Sequence, residues 1–380
     1  MFASVIITAA ASKKIQGGYP WVFERDFLSR RHPRAGIVAV HDRRGRFIGQ
    51  AFYSPLSKIV LRFITPSKKE IDGPFWRTLI KKGYERRKNL EGTSNAFRVV
   101  NAEGDFIPSV IIDKYNDIWS IQTTSAGAET QKEGIVSSIL EGFQPASIIE
   151  KNNIEVRRQE GLPLFEKILH GNKIMTTIRE GARSFTVNVL QGQKTGAYLD
   201  YRAIRLQAAT LCKGNALDLF CYEGWLCCHI APRATRVTAV DSSPEAIQRA
   251  RSNAGSLPID FIEGDVFDFL EECKESYDFI HLDPPSFAKG KRNRATAIKG
   301  YEKINTLALK LLNPRGILLT SSCSHSISEG IFENTIKRCC ERLGRRYKIL
   351  YRGLQDRDHP VLRGLPESLY LKAIGIELDH

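Results

Sequence analysis

From Lys213 onward the chain alternates short apolar runs with amphipathic stretches of helical period, and this pattern constrains the fold more than any other feature of the sequence. Strand-like runs fall at residues 216–220, 236–241, 259–262, 277–283 and 316–322, with helical stretches between them that include 243–254 and 298–312. Strand and helix in strict alternation can bury both faces of a sheet only as a parallel, doubly wound α/β layer, whose ligands sit at the carboxyl ends of the strands. Two further strands are expected at 345–353 and 368–377.

The strand ends carry the chemistry. The first closes on Asp218-Leu219-Phe220 and runs into Cys221-Tyr222-Glu223-Gly224. A single glycine lets a ligand approach the backbone, but it is no G-x-G-x-x-G phosphate loop. The second ends at Asp241, 23 residues after Asp218, where an acid can accept from both ribose hydroxyls. The same stretch, Asp241-Ser242-Ser243-Pro244-Glu245, also reads as a helix start. Asp265 follows the third strand and suits either an adenine amino group or a surface turn. Asp283-Pro284-Pro285 stiffens the end of the fourth, with Phe287 as a stacking face for a flat base. Cys323 closes the fifth. Alone it would read as a small buried hydrophobe; beside Asp283 it reads as a nucleophile, with His325 or a nearby Lys or Arg to favour the thiolate.

The first 75 residues read as short β segments at 36–40, 47–53 and 59–64, suited to a small β-barrel. A charged helix is expected from 74 to 89, then an α+β region with strands near 109–113 and 118–122 and a helix near 129–142. The expected division is therefore 1–75, 76–190 and 191–380. With 56 basic against 42 acidic side chains the net charge is +14, which favours polyanionic partners. Basic clusters at Arg30–Arg34, Arg43–Arg46 and Lys81–Lys88 are candidate phosphate contacts. No apolar run approaches the ~18 residues of a membrane helix, and no leader is read at the N-terminus. Eight cysteines without a C-x-x-C pair suggest a reduced, cytoplasmic protein, and the Cys221, Cys227, Cys228, His229 group fits no zinc spacing, so no metal is expected.

Throughout its length the sequence resembles the class I S-adenosylmethionine-dependent RNA cytosine-5 methyltransferases of the ribosomal large-subunit methyltransferase I type. The residues that carry the resemblance are Gly17-Gly18-Tyr19-Pro20-Trp21-Val22-Phe23, then Arg98, Glu103-Gly104-Asp105, Pro108, Asp113 and Tyr115, then Arg157 and Glu160-Gly161-Leu162. The most specific run is Gln193-Lys194-Thr195-Gly196-Ala197-Tyr198-Leu199-Asp200-Tyr201-Arg202. The resemblance implies an N-terminal PUA domain, a middle α+β domain and a Rossmann-like catalytic domain. It implies that Phe220, Tyr222, Gly224, Asp241, Ser242, Asp265 and Asp283, with Lys194, Thr195 and Gly196, surround the cofactor. Cys323 would be the nucleophile and Asp283 would hold the edge of the cytosine. The implied partner is RNA, large-subunit (23S) ribosomal RNA in particular.

Three positions depart from the family pattern: Trp225 replaces a second glycine, Glu223 a frequent Thr, and Tyr201 the usual Gln. Trp225 would either crowd the cofactor or point into the core. Two other readings fit parts of the sequence: a methyltransferase acting on an exocyclic amino group of adenine or guanine, which needs no thiol, and a non-catalytic RNA-binding protein with a degenerate catalytic domain.

Overall fold

The structure is a computed structural model that describes residues 3–287 and 294–379. The chain divides into two compact units. One comprises residues 1–182, 186–199 and 357–368; the other comprises 183–185, 200–356 and 369–380.

The first unit opens with β1 (Ala3–Ile7), α1 (Ala9–Gln16), β2 (Trp21–Phe23), β3 (Gly36–Asp42), β4 (Phe47–Tyr53) and β5 (Ile59–Thr65). They form a five-stranded sheet in the order β1-β3-β4-β5-β2, around Val5, Ile7, Val22, Val40, Val60 and Leu61. The three strands expected here are present, while β1, α1 and β2 are additions. A second five-stranded sheet runs β10-β9-β8-β7-β6. Its strands are β6 (Ala96–Asn101), β7 (Val110–Tyr115), β8 (Ile118–Thr123), β9 (Ser147–Lys151) and β10 (Glu166–His170). The helices beside it are α2 (Gly73–Arg87), α3 (Ala126–Glu129), α4 (Lys132–Phe143) and α5 (Val156–Gln159). Trp76 and Ile80 of α2 and Ile135 and Ile139 of α4 share one core with Phe97, Ile112, Trp119 and Ile121. β11 (Met175–Glu180) and β12 (Arg183–Asn188) follow.

The family-like residues of this unit build a buried ionic framework. Arg98 grips Asp113 through two hydrogen bonds, Nε to Oδ1 at 2.8 Å and Nη2 to Oδ2 at 2.9 Å. Asp113 also accepts from Thr195, whose hydroxyl faces the Tyr115 phenol at 3.1 Å. Arg87 holds Asp105 in the same two-pronged way, at 2.7 and 2.6 Å. Trp21 donates its indole N–H to Glu103 at 2.9 Å. A Cβ at Gly104 would stand 2.8 Å from the Pro360 carbonyl oxygen. Buried charges persist only when paired and hydrogen-bonded, and these pairs satisfy that condition.

The second unit contains β13 (Asn215–Leu219), β14 (Arg236–Asp241), β15 (Ile259–Glu263), β16 (Tyr277–Leu282), β17 (Leu312–Ser322), β18 (Tyr347–Leu354) and β19 (Lys372–Leu378). They make a seven-stranded sheet in the order β15-β14-β13-β16-β17-β19-β18. The first five are parallel and β19 runs antiparallel to β17. The order reverses at β13, which makes the ends of β13 and β16 the topological switch point. The helices are α6 (Arg202–Leu211), α7 (Trp225–Ile230), α8 (Pro244–Ala254), α9 (Val266–Glu272), α10 (Arg294–Lys310) and α11 (Glu329–Arg342). Local chemistry starts them. The Ser243 hydroxyl accepts from Ala246 N with Pro244 next in line for α8, Asp265 caps α9, and Ser328 caps α11. Tyr277, Ile280 and Leu282 of β16 pack with Tyr301 and Ile304 of α10 and Phe332 of α11. Every strand expected in this unit is present, with edges shifted by a few residues; β17 starts at Leu312, inside the expected helix 298–312.

Candidate active site

The turn after β13 is the first unusual feature of the strand ends. Phe220, Tyr222 and Gly224 all have left-handed backbone, at φ of 62°, 47° and 76°. For the two non-glycine residues this costs roughly 1 to 3 kcal/mol each, a cost that clusters at ligand sites. Gly224 also tolerates no Cβ, which would meet the Ala250 Cβ at 2.9 Å. Asp241 holds the turn, accepting Tyr222 N at 2.9 Å on Oδ2 and Ser243 N at 3.0 Å on Oδ1. Of the two readings of this stretch, the helix start is realised by Ser243, which caps α8, while Asp241 braces the turn before it. Ser242 is exposed beside it. Asp265 is exposed and caps α9 through Oδ1, to Phe267 N at 2.7 Å and Asp268 N at 3.2 Å.

Trp225 does not point outward. Its ring is buried, stacked on Phe185 at 4.7 Å between centroids, with the Arg205 guanidinium 5.0 Å from the ring centre. Glu223 is buried and ion-paired, with Arg249 Nε at 2.6 Å from Oε1. Burial pushes the Glu223 carboxyl above its usual range, against the pull of Arg249.

The ends of β16 and β17 bring the next group together. Leu282 pairs with Thr320 in register, so Asp283 lies opposite Ser321, whose hydroxyl donates to Asp283 Oδ1. Ser322 donates to the Tyr301 phenol at 2.9 Å. Burial, Cys323 and Asp283 all raise the Tyr301 phenol. Asp283, Ser321, Ser322, Tyr301 and Cys323 thus share one lip of the sheet. Phe287 packs edge-on against Tyr301 with centroids 4.9 Å apart, so its ring serves this wall. Cys323 is half-buried, whereas Cys221, Cys227, Cys228, Cys339 and Cys340 are buried. Burial pushes the Cys221 and Cys227 thiols well up and that of Cys340 to about 12, which disfavours thiolate at those positions.

Two residues of this site escaped the sequence reading. The first is Lys372 on β19, which faces Ser322 in register and donates to Ser324 O and Ile327 O, both at 2.5 Å. It ties down the loop that carries Cys323. Burial lowers its ammonium to about 8, opposed by attraction from Cys323. His325, the expected partner of the thiol, is exposed with its ring 5.6 Å from that of Tyr370. The second is His281, which reads in sequence as one more strand position. Its only sequence signal is a titratable side chain inside an apolar run.

Lys194, Thr195 and Gly196 belong to the first unit. Lys194 has φ 53° and holds its ammonium 4.3 Å from the Tyr198 ring centre. Thr195 is buried in the Arg98–Asp113 framework, and a Cβ at Gly196 would meet the Tyr115 ring at 3.0 Å. Of the basic clusters, Arg87 is buried on Asp105 and Arg46 is paired with Asp42, while Lys81, Lys82 and Lys88 are exposed. Among the described residues no group of three or more His, Cys, Asp or Glu is placed to hold a metal ion. No described helix is long and apolar enough to cross a membrane.

A left-handed turn, an acid at the next strand end and an exposed acid beyond the third thus stand at the carboxyl ends of β13, β14 and β15. Comparison with known proteins identifies the family. Residues 5–66 match the profile of a PUA-like domain, and residues 213–362 that of a methyltransferase domain. The chain is 34% identical over 393 residues to "Ribosomal RNA large subunit methyltransferase I" of Photobacterium profundum, covering 99% of each chain. It is 34% identical to the protein of the same name from Pseudoalteromonas translucida, covering 98% of this chain and 99% of that one. A methyltransferase solved in complex with SAH superposes with a TM-score of 0.85 at 23% identity, over 99% of this chain and 100% of that one. The architecture is therefore a PUA-like domain followed by a Rossmann-like methyltransferase domain, and its cofactor is S-adenosylmethionine.

Proposed function

We propose that this chain, which belongs to the ribosomal RNA large subunit methyltransferase I family, methylates carbon 5 of a cytosine in large-subunit ribosomal RNA. The observation that carries the reading is the shared lip of β16 and β17, where Asp283 and the half-buried Cys323 flank Ser321. Carbon 5 of cytosine is a poor nucleophile. Addition of the Cys323 thiolate at carbon 6 moves electron density to carbon 5, which is covalent catalysis. Lys372 favours the thiolate electrostatically and holds its loop. Asp283 bonds the ring at N3 or the amino group. Bound S-adenosylmethionine supplies an electrophilic methyl group. Phe220, Tyr222, Gly224, Asp241, Ser242 and Asp265 hold its adenosyl part, with Lys194, Thr195 and Gly196 assigned to its mouth by the family pattern. A base then removes the carbon-5 proton and the sulfur leaves.

The functional divisions follow as 1–75 for RNA binding through the PUA-like fold, 76–190 as a connecting α+β domain, and 191–380 for catalysis, in a protein of the cytoplasm. The target cytosine must leave its stack, which is cheapest in looped or single-stranded RNA.

The test is methyl transfer from labelled S-adenosylmethionine to deproteinised large-subunit RNA from cells lacking the enzyme, with nucleoside analysis. Wild type should yield 5-methylcytosine, and Cys323→Ala should lose at least about 1,000-fold in rate, as expected when a covalent nucleophile is removed. Methylation of an exocyclic amino group, or full activity in Cys323→Ala, would replace this reading.

A further inference from the structure

Tyr301 of α10 is fully buried in one core with Ile280, Leu282, Ile304 and Phe332. Apolar packing of that kind asks only for the ring. A buried phenol oxygen must also find a hydrogen-bond partner, and this one finds it in the loop that carries Cys323. Ser322 donates to the phenol oxygen at 2.9 Å, and the same Ser322 hydroxyl accepts from Ser324 N at 3.3 Å. Ser322 therefore holds the chain on both sides of Cys323 and ties that short arc to α10.

The ring of Tyr301 meets the other loop of the lip. Phe287, four residues after Asp283, lies edge-on to it with centroids 4.9 Å apart, and Phe332 of α11 closes the far side at 5.5 Å. Gly300 makes room for this arrangement. A Cβ at Gly300 would stand 3.1 Å from both Cγ and Cδ2 of Phe287. Glycine inside a helix is less favourable than alanine, and here the missing methyl is the space that Phe287 occupies. Two neighbouring residues of one helix turn thus touch both loops, one through an oxygen and the other through an absent side chain.

We propose that Tyr301 and Gly300 are positioning residues for methyl transfer, a joint on α10 that sets the Cys323 loop and the Asp283–Phe287 loop at one spacing around a single base. The inference rests on the cytosine reading above. A thiol that adds at carbon 6 and a carboxylate that bonds N3 or the amino group must serve one ring at the same moment, so their separation has to be held to a fraction of an ångström. Pairing of β16 with β17 ends at Leu282 and Thr320, before either group is reached. Beyond that pair Ser321 bonds Asp283 directly, and Tyr301 supplies the hold on Cys323 and Phe287 from the helix side.

The phenol is suited to this task because burial raises it, helped by Cys323 and Asp283, so it stays neutral and adds no charge to the lip. Its oxygen and its ring act on different loops and can be removed separately.

Kinetics on the full chain test the proposal. Tyr301→Phe keeps the ring and removes the oxygen. Its kcat should fall about 5- to 10-fold, with KM for RNA and for S-adenosylmethionine within about 2-fold of wild type. Cys323 should at the same time be alkylated about 3-fold faster, because its loop opens more often. Slower catalysis from a more accessible thiol is the sign of lost positioning, and a role in stability alone would move neither in folded protein. Adding Tyr301→Phe to Ser322→Ala should cost nothing further, since both remove the same bond. A full second loss would overturn that bond as the link. Gly300→Ala tests the other loop and guards against a poorly folded Tyr301 variant. It should melt at or above the wild-type temperature, because alanine favours the helix, yet lose about 3- to 10-fold in kcat as Phe287 gives way. Wild-type kcat in both Tyr301→Phe and Gly300→Ala would overturn the proposal. Full activity in Cys323→Ala, or a product other than 5-methylcytosine, would sink the cytosine reading alone. The alkylation rates would still decide whether Tyr301 holds the loop.

Discussion

The two units use buried charge in opposite ways. In the first, Arg98–Asp113 and Arg87–Asp105 are joined by two hydrogen bonds per pair, and further donors meet both carboxylates. In the second, Asp218 is just as buried but meets a histidine with one oxygen and nothing described with the other. Closed pairs fix a shape. A half-met carboxylate leaves one buried oxygen with no described donor.

Asp113→Ala should break that contrast most visibly. It takes the paired carboxylate from the buried Arg98 guanidinium, which keeps Asn101 on Nη1, and removes the acceptor of Thr195, so unfolding free energy should fall by about 3 to 5 kcal/mol, read by denaturant titration. Methylation per folded molecule should be largely kept. Equal loss of activity and stability would place Asp113 among the catalytic groups instead.

Lys372→Met should give an intermediate effect on the thiol. Alkylation of Cys323 at neutral pH should slow by about 3- to 10-fold as the neighbouring cation is lost. The stability sign is separate. The folded Lys372 sits at about 8 against a usual 10.5, so between these values the unfolded chain binds more protons. Wild-type stability should therefore rise with pH across that window, relative to the Met variant. A flat difference would mean that the ammonium is not buried in solution.

Glu223→Gln should do least, within about 1 kcal/mol, because Arg249 is partly exposed. The Glu223 carboxyl is raised by burial, so its contribution is present in acid and lost as pH rises through the folded value. The variant should lack that slope in thermal melts.

Much of this was legible in sequence where a signal was local. Tyr277–Leu282 announces itself as a buried strand by its apolar run, and Pro284-Pro285 marks its end. Ser243-Pro244-Glu245 marks α8 because capping is set by adjacent residues. The remainder depended on register or on backbone conformation. β10 is mostly exposed and carries no clear alternation. The left-handed Phe220 and Tyr222 have side chains that do not advertise such backbone. His281 gains meaning only when β13 and β16 align it with Asp218, and Lys372 only when β19 sets it against Ser322. Trp225 looked like a threat to the cofactor because its stacking partner, Phe185, lies 40 residues earlier.

The placement of β19 also has a consequence for biosynthesis. β19 is made after β18 yet is seated between β17 and β18. At roughly 5 to 20 residues per second, a ribosome takes seconds to travel from Cys323 to Lys372. Throughout that interval the cysteine loop lacks its lysine tether, and β18 has no neighbour to pair with. The nascent chain thus cannot set the Cys323 loop in its final place until nearly all of the sheet has been translated.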